Sequence, residues 1–500
     1  MISDLKESAL HVVKNALTIR LGGITLRIEH TKKITATLAL TLLLTAGLAG
    51  CGGSKEENAG GNAEEASNKQ VTIKVSNWPK PNEEAKIAQY EQLMAKMKAN
   101  YPDIIVDKDE WGYDVSSFLP KAASGQLPTV YETFFTETSK IIKANYAADI
   151  TDTMKKYGYD KAINPDLLKM VTKDGKYYGI PKDGYVMGML YNMNLFKEAG
   201  LLDDKGIPKF PKTYEELAQT AQIIKQKTGK AGIFLPTKSG QGGWMFMNIA
   251  WAYGAEFEKQ VDGKWQAVFN SPEAAAALQY VKDLKWKYDV LPDNNLVDVT
   301  NDMFRMFGTD QVAMSFGMND WPPVIQQQTK MSKDNVAMSA LPVGPIGKPV
   351  TLLGGGLYMF SPNVTPEQID AGFKWLKTYG FTPESSEEAL TGWDIEKKTL
   401  SDQGLIVGPY GLRIWTDEKR IGEEQKILDK YNNVNLDLFR DYMDNGSKGM
   451  RAEEPVNAQE LYQKLDIVLQ TVLTDKNADP LEILTKAAEE FQRDYLDKVK

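Results

Sequence analysis

Alternation of apolar and polar positions predicts a series of strands and helices that begins at Val71. Strands are predicted where β-branched residues alternate with polar ones, and helices where apolar residues recur every three to four positions. The predicted strands cover 71–78, 103–111 and 129–134, and the helices between them cover 82–102 and 115–128. Such a series implies right-handed crossovers and a parallel sheet, whose ligand crevice lies at the carboxyl ends of the strands.

Aromatic and acidic residues occupy the carboxyl ends of these three predicted strands. They are Trp78 after the first strand, Glu110 with Trp111 after the second, and Thr133 with Phe134 after the third. Because these ends meet at one edge of a parallel sheet, the residues are candidate ligand contacts. The alternative, that the aromatic rings cap the hydrophobic core, stays open for each of them.

The rest of the chain continues the mixed α/β pattern. Thr213, with Glu216 three residues later, predicts the start of a helix with a capping box. Trp244 and Trp251 share one face of a helix predicted over 242–257, a spacing more typical of core packing than of a binding site. Further predicted elements are a helix from Ser271-Pro272, a buried strand within 310–324 that leads to Trp321, an extended run over 351–360 interrupted by glycines, and two amphipathic helices over 455–500.

An apolar run precedes the single cysteine, Cys51. Lys32 and Lys33 are followed by apolar and small residues that end in Leu48-Ala49-Gly50, the layout of a secretory signal. This junction resembles a bacterial lipobox, which implies a signal peptide over 1–50, cleavage before Cys51 and lipidation of its thiol. Residues 1–25 have no role in a signal, so we interpret them as an upstream extension of the gene, with Leu26 as one candidate start. A short uncleaved membrane anchor is the alternative.

Composition separates the segment after Cys51 from the folded part of the chain. Residues 52–69 contain no apolar residue larger than alanine, which predicts a disordered tether spanning roughly 25 Å. Without residues 1–50 the chain keeps 53 basic and 64 acidic residues, a formal net charge of −11. Such an acidic chain is not expected to bind nucleic acid. About 430 folded residues are too many for one core, so two lobes are expected.

The residue inventory excludes several kinds of catalytic site. Both histidines, His11 and His30, precede Cys51, so the predicted mature chain has neither histidine nor a free thiol. Ser-His-Asp and Cys-His catalysis, histidine-based zinc sites and redox cysteines are therefore excluded. No P-loop motif occurs. A glycosidase that uses two carboxylates remains possible, because acidic residues are abundant.

Five segments, in this order and spacing, resemble the extracellular solute-binding proteins of family 1, the sugar-binding lipoproteins of ABC importers. The segments are GKYYGIPKDGYVMGMLYNMNLFKEAGL, PKTYEEL, FNSPEAAAAL, FGTDQVAMSFGMNDW and ALPVGPIGKPVTLLGGGLYMFSPN. The resemblance implies an α/β, two-lobed periplasmic-binding-protein-like (type II) fold with hinged lobes. It implies three crossings between lobes, near 180–188, 350–358 and 447–455. The first lobe would then comprise 71–182 and 356–450, and the second 186–352 and 454–500.

The resemblance also implies a ligand crevice between the lobes, with aromatic rings stacking on sugar rings. In addition to Glu110 and Phe134 from the strand ends, the residues assigned to it are Trp78, Trp111, Tyr185, Trp244, Asp320, Trp321 and Gly355. No catalytic residue, cofactor or metal is expected. Some family members carry a calcium-binding insertion after the TYEEL helix, but 226–234 (QKTGKAGIF) lacks the spacing of calcium ligands.

The expected function is capture of a carbohydrate, in the form of an oligosaccharide, outside the membrane. The partners expected are the transmembrane subunits of an ABC permease and the membrane, which a lipid anchor would bind on its extracytoplasmic face. The protein is expected to be a monomer. The two alternatives are a surface-anchored carbohydrate-active enzyme using two carboxylates, and a receptor that signals without transport.

Overall fold

The computed structural model describes residues 16–21, 24–29, 70–293, 296 and 299–499. Two strands at the beginning form an antiparallel hairpin that pairs Ala16 with Glu29 and belongs to a unit separate from 67–500. Cys51 and the predicted tether over 52–69 lie outside the described residues, as does most of the predicted signal segment. In the described ranges, no helix combines the length and the apolar character that crossing a membrane requires.

Short strands alternate with helices along the chain. The strands are β1 (Ala16–Leu21), β2 (Ile24–Glu29), β3 (Val71–Val75), β4 (Ile104–Lys108), β5 (Val130–Phe134), β6 (Thr172–Lys173), β7 (Lys176–Tyr177), β8 (Gly179–Pro181), β9 (Tyr185–Val186), β10 (Gly188–Asn192), β11 (Ala231–Phe234), β12 (Glu258–Val261), β13 (Lys264–Ala267), β14 (Val312–Gly317), β15 (Val336–Ala340), β16 (Thr351–Gly354), β17 (Gly356–Phe360) and β18 (Met450–Ala452).

The helices begin with the two predicted between the first three strands after the hairpin. They are α1 (Glu84–Asn100), α2 (Val115–Ala123), α3 (Thr138–Lys143), α4 (Thr151–Lys156), α5 (Tyr159–Ala162), α6 (Pro165–Lys169), α7 (Met193–Glu198), α8 (Tyr214–Thr228), α9 (Gln241–Ala252), α10 (Pro272–Trp286), α11 (Thr300–Gly308), α12 (Trp321–Thr329), α13 (Pro366–Thr378), α14 (Glu387–Asp402), α15 (Glu418–Tyr431), α16 (Arg440–Asn445), α17 (Ala458–Thr474) and α18 (Pro480–Asp494).

Helix starts follow the capping residues identified in the sequence. The Thr213 hydroxyl accepts the amide of Glu216 at 3.1 Å, and Ser271 caps α10 at Pro272. The predicted capping box is only half formed, because the Glu216 carboxylate accepts the amide of Lys212 instead of that of Thr213. Helix α8 therefore begins where predicted, with one of its two reciprocal cap bonds shifted by one residue.

The first sheet has the order β4-β3-β5-β17-β8. Strand β3 runs parallel to β4 and β5, as predicted, with Val71 opposite Ile104 and Val75 opposite Val130. Strand β17 returns from a distant part of the chain and pairs antiparallel with β5 and β8. Side chains from this sheet and helices α1 to α6 and α13 form one hydrophobic cluster, the first core, which includes Ile73, Tyr131 and Phe373.

A second sheet, with the order β11-β14-β10-β15, forms the centre of a second hydrophobic cluster. Every residue of β10 and β14 is buried, because helices cover both faces of the sheet. This second core includes Leu190, Phe316, Leu217 and Leu469. Two separate cores built on two sheets give a two-lobed α/β protein, which confirms the predicted fold class.

Three short strands form a connecting sheet with the order β18-β16-β9. Leu353 of β16 lies opposite Val186 of β9 on one side and Ala452 of β18 on the other. Each strand lies within one of the three ranges predicted to cross between lobes. The exact lobe boundaries stay a prediction.

The segment 405–443 contacts both cores, although its residues are distant in sequence from most of their members. Ile406, Phe439 and Tyr442 belong to the second core, whereas Trp415 belongs to the first. Trp415 also forms a bridge to Ile163. The family resemblance implies that this segment belongs to the first lobe, which stays a prediction, and its side chains pack against both cores.

Candidate functional site

A cavity of about 580 Å3, here called the cleft, opens where the carboxyl ends of β3, β4 and β5 meet the connecting sheet and the loop after β14. Its walls combine aromatic, amide, carboxylate and backbone groups. The residues that line it are Asn77, Gly112, Tyr113, Glu132, Thr133, Phe134, Lys182, Asp183, Gly184, Tyr185, Met318, Asn319, Asp320, Gly355, Gly356 and Leu412.

The end of β3 brings Asn77 to the cleft, whereas Trp78 is directed into the first core. Asn77 has a backbone φ of 56°, so the chain turns sharply between the strand and Trp78. The Trp78 ring is 6% exposed and stacks on Trp375 at 6.2 Å. The strand ends at Val75, three residues before its predicted end, and the turn at Asn77 brings this residue, and not Trp78, to the cleft.

A similar offset occurs after β4. Glu110 is exposed to solvent outside the cleft wall, and Trp111 is half-buried with its indole N–H donating to the Ser117 hydroxyl at 3.2 Å. The cleft is lined instead by Gly112 and Tyr113. A Cβ on Gly112 would lie 2.6 Å from Asn77 Oδ1, so a larger residue there would require the Asn77 side chain to move.

Phe134 lies in the cleft at the end of β5. Its side chain is 50% exposed, which is unusual for a large apolar residue, and its ring meets Tyr113 edge to face at 5.6 Å. An exposed ring on an ordered strand offers a flat apolar surface to a ligand.

Polar groups of the first crossing are fixed against β5 and β17. The Asp183 carboxylate accepts the amide of Gly356 at 2.6 Å, and the Lys182 ammonium pairs with Glu132. The Tyr185 ring lies directly over Gly354, where a Cβ would come within 2.4 Å of the ring. Close packing on the connecting sheet therefore explains this glycine.

Asp320 reaches the cleft from the loop after β14. It is accessible to solvent within the cleft, and partial enclosure by the walls, followed by the nearby charge of Asp183, raises its pKa. Trp321 next to it is 8% exposed and packs on Phe304. Trp244 lies behind the cleft wall, with its ring 6.2 Å from that of Tyr185.

The structure thus brings four of the predicted residues together in the cleft wall: Phe134, Tyr185, Asp320 and Gly355. Five others lie outside that wall: Trp78, Glu110, Trp111, Trp244 and Trp321. Ligand contact by any of the nine stays a prediction. Apart from Asp320, most polar residues of the cleft were not predicted. Asn77 and Asn319 directly precede the predicted residues Trp78 and Asp320, and Asp183 lies within the first predicted crossing.

The sequence matches one known protein family. Residues 85–395, more than half of the chain, match the family described as bacterial extracellular solute-binding protein. The chain belongs to this family.

Curated relatives of this solute-binding protein match it at low identity. The diacetylchitobiose binding protein DasA of Streptomyces coelicolor is 24% identical over 253 residues, which cover 50% of this chain and 56% of the relative. The arabinooligosaccharide-binding protein of Bacillus subtilis is 24% identical over 262 residues, covering 51% and 54%. The chain therefore spans little more than half the length of these relatives.

Solved structures share the fold over most of this solute-binding protein. A solute binding protein of Thermotoga lettingae bound with α-D-tagatose has a TM-score of 0.62 at 21% identity and covers 85% of this chain and 99% of its own. UgpB of Mycobacterium tuberculosis, in complex with glycerophosphocholine, has a TM-score of 0.63 at 15% identity, covering 85% and 98%. These likenesses establish the two-lobed fold.

Buried carboxylates surround the connecting sheet of this solute-binding protein. Glu453 is 9% exposed, and burial raises its pKa to about 7 although the Tyr462 and Trp244 side chains donate hydrogen bonds to it. Burial also raises the pKa of Glu454 to about 7, partly offset by Arg451. Burial and then the Glu454 charge raise the pKa of Glu258 to about 9. These groups pack among protein atoms and do not line the cleft.

The cleft has the composition of a small-molecule site. A few polar groups converge on a concave surface that also presents apolar rings, and its volume lies within the range of about 300–1,000 Å3 usual for ligand sites. Among the described residues, no group of three or more histidine, cysteine, aspartate or glutamate side chains could hold a metal ion. The arrangement suits reversible binding of a polar molecule that also has apolar faces.

Proposed function

We propose that this solute-binding protein captures a carbohydrate in the cleft and delivers it to the permease of an ABC importer. The observation that carries the proposal is the combination of the exposed Phe134 ring, the partly buried rings of Tyr113 and Tyr185 and hydrogen-bonding groups in one cavity next to the connecting sheet. Two relatives are named for the binding of diacetylchitobiose and of an arabinooligosaccharide, which supports the same class of ligand.

The side chains of the cleft match the two kinds of surface that a sugar presents. The C–H faces of a sugar ring are apolar and pack on aromatic planes such as those of Phe134 and Tyr185. The hydroxyl groups need donors and acceptors, which the amide of Asn77 and the carboxylates of Asp183 and Asp320 supply. A ligand that uses both surfaces is held more specifically than one that uses either alone.

Ligand binding would close the two lobes. Phe134 extends from the sheet of the first core, and Asp320 from the loop after β14 of the second. A ligand that touches both gains its full interaction energy only when the lobes are close, so it shifts the population towards the closed state. The short connecting sheet is the element that would absorb the change in angle.

We further propose that a lipid on Cys51 holds the protein, as a monomer, on the extracytoplasmic face of the membrane. A single acyl chain anchors a protein only weakly, whereas the two chains of a diacylglycerol suffice. The change Cys51→Ser should move the protein from the membrane fraction to the soluble fraction. A variant that stays with the membrane would contradict lipid anchoring at this residue.

The test of ligand class is thermal unfolding of residues 52–500 with a panel of mono- and oligosaccharides. A ligand at 100 times its Kd should stabilise the folded state by about 2.7 kcal/mol. Stabilisation by one class of glycan, recovered intact afterwards, would support a receptor. A glycan recovered shortened would instead support a carbohydrate-active enzyme that uses two cleft carboxylates, and no stabilisation across the panel would contradict carbohydrate binding.

Delivery to a permease is tested in cells. Deletion of the gene should abolish uptake of the labelled sugar identified above, and expression of the protein should restore it. Unchanged uptake in the deletion strain would favour a receptor that signals without transport.

A further inference from the structure

We propose that a second cavity, which adjoins the cleft, binds the distal units of a linear oligosaccharide. This second cavity, here called the annex, has a volume of about 490 Å3 and lies between the end of α13, helix α14 and the segment 409–415. The inference rests on the proposed function, since it concerns the length of the carbohydrate and the residues that select for it.

The annex and the cleft share part of their walls. Lys182, Asn319 and Leu412 line both cavities. At this junction Gly411 lies against Asn319, where a Cβ would be only 2.3 Å from Asn319 Oδ1. The two cavities therefore adjoin, and a molecule that extends from the cleft into the annex would pass these side chains.

Several aromatic side chains line the annex, namely Tyr379, Phe381, Trp393, Tyr410 and Trp415. Tyr379 is 43% exposed, and its ring is supported by an edge contact with Tyr90. The Lys397 ammonium lies 3.9 Å from the centre of the Trp393 ring, and the Arg413 guanidinium lies 4.4 Å from that of Tyr410. These contacts hold the rings in place, as stacking on a sugar requires.

The Trp393 indole N–H supplies an independent indication of a ligand. It is buried and makes no hydrogen bond to any described residue. A buried donor without an acceptor costs about 1–3 kcal/mol, so such groups usually have a partner. A turn of the indole ring towards the annex would present this N–H to a sugar hydroxyl, which would accept the hydrogen bond.

Size favours one long ligand over two separate small ones. Each cavity alone falls within the range usual for a single small molecule, and the two adjoin at three shared lining residues. A monosaccharide would occupy only the cleft, whereas a linear chain of several sugars would also reach Tyr379 and Trp393. The annex would thus select for chain length.

The test measures affinity against chain length by isothermal titration calorimetry. The probes are chito-oligosaccharides and malto-oligosaccharides of one to six units, and the protein is residues 52–500. For the series that binds, affinity of the wild type should rise with length. The change Trp393→Ala should weaken binding of the longest members about tenfold and leave binding of the shortest member unchanged. Trp393→Phe, which keeps a ring but lacks the N–H, should lie between the two.

Trp286→Ala is the matched control. Trp286 is also a partly exposed tryptophan, at the end of α10, where its indole N–H donates to the Val472 carbonyl. Its replacement should leave the dependence on chain length unchanged, which separates loss of the annex from a general loss of stability.

Two results would overturn the inference in different ways. If a sugar binds but its affinity does not increase with length, or increases equally in Trp393→Ala, the annex is not part of the site and the proposed function stands. If no member of either series binds, and the saccharide panel gives no stabilisation, carbohydrate binding fails and the annex proposal fails with it.

Discussion

The carboxylates of the cleft and those around the connecting sheet differ in surroundings although they lie in neighbouring parts of the molecule. The Asp183 side chain is 49% exposed, and Asp320 is open to the solvent of the cleft. Glu258 and Glu454 are 6% and 4% exposed. Cleft carboxylates can exchange water for a ligand at little cost, whereas buried carboxylates lost their water when the chain folded. We therefore expect the first group to control binding and the second to control stability.

The largest expected effect is on the pH dependence of stability, through Glu258. Its pKa is about 9 in the folded protein, against an ordinary value of 4.5. Between these values the folded state holds a proton that the unfolded state has released, so stability falls as pH rises from about 4.5 to about 9, by roughly 1.4 kcal/mol per pH unit at most. Glu258→Gln cannot ionise and should be more stable than wild type at pH 8.5, measured by urea unfolding.

The control for this prediction is Glu256→Gln. The Glu256 side chain is 63% exposed and pairs with Arg451, so its replacement should leave the pH slope nearly unchanged. Identical slopes for wild type and Glu258→Gln would show that burial does not hold a proton on Glu258.

Next in size is the loss of the Glu453 carboxylate. Its Oε1 accepts the Tyr462 hydroxyl at 2.5 Å, and the Trp244 side chain also donates to it. Glu453→Ala leaves buried donors without an acceptor and should destabilise the protein by about 2–4 kcal/mol in urea unfolding at pH 6. Glu453→Gln keeps an acceptor and should lose less. A loss below about 0.5 kcal/mol in the alanine variant would contradict a structural role.

Replacement of a cleft carboxylate should weaken ligand binding and leave the stability of the folded protein nearly unchanged. Asp320→Asn should lower affinity for the carbohydrate about tenfold, because a charged acceptor binds a hydroxyl more strongly than a neutral one. Stability should change by less than about 0.5 kcal/mol, since the side chain is solvated without ligand. Calorimetric titration checks the affinity and urea unfolding checks the stability, with the exposed Asp334→Asn as control for both. Unchanged affinity would remove Asp320 from the site.

The smallest effect is expected where the two cores touch beside the connecting sheet. The Gln459 side-chain amide on α17 donates to the Thr136 hydroxyl at 3.3 Å. Gln459→Ala should cost less than about 1 kcal/mol, because the bond is long and partly solvated. Gln463→Ala makes the same change at an exposed position of the same helix and sets the baseline for urea unfolding. A loss of several kcal/mol would mean that this contact holds the lobes together.

Elements with a clear period were predictable from the chain alone. The parallel strands β3, β4 and β5 and the starts of α8 and α10 follow from alternation, helical spacing and caps, which act within a few residues. The segment 405–443 was not predictable, because its contacts with both cores join residues that are distant in sequence. The annex was not predictable either, because Lys182 and Trp393 line the same cavity although they are far apart in sequence.

The sequence by itself determined the family, the two-lobed α/β architecture and the edge of the first sheet at which the cleft lies. These depend on local periodicity, residue types and ordered motifs, all of which can be read along the chain. Only the tertiary structure decided which side chain at each strand end faces the cleft. A backbone turn of one residue, as at Asn77, sends a large ring such as that of Trp78 into the core and brings its small polar neighbour to the cleft. Residue type alone does not show this choice, because an aromatic ring can be stabilised equally by a core or by a sugar.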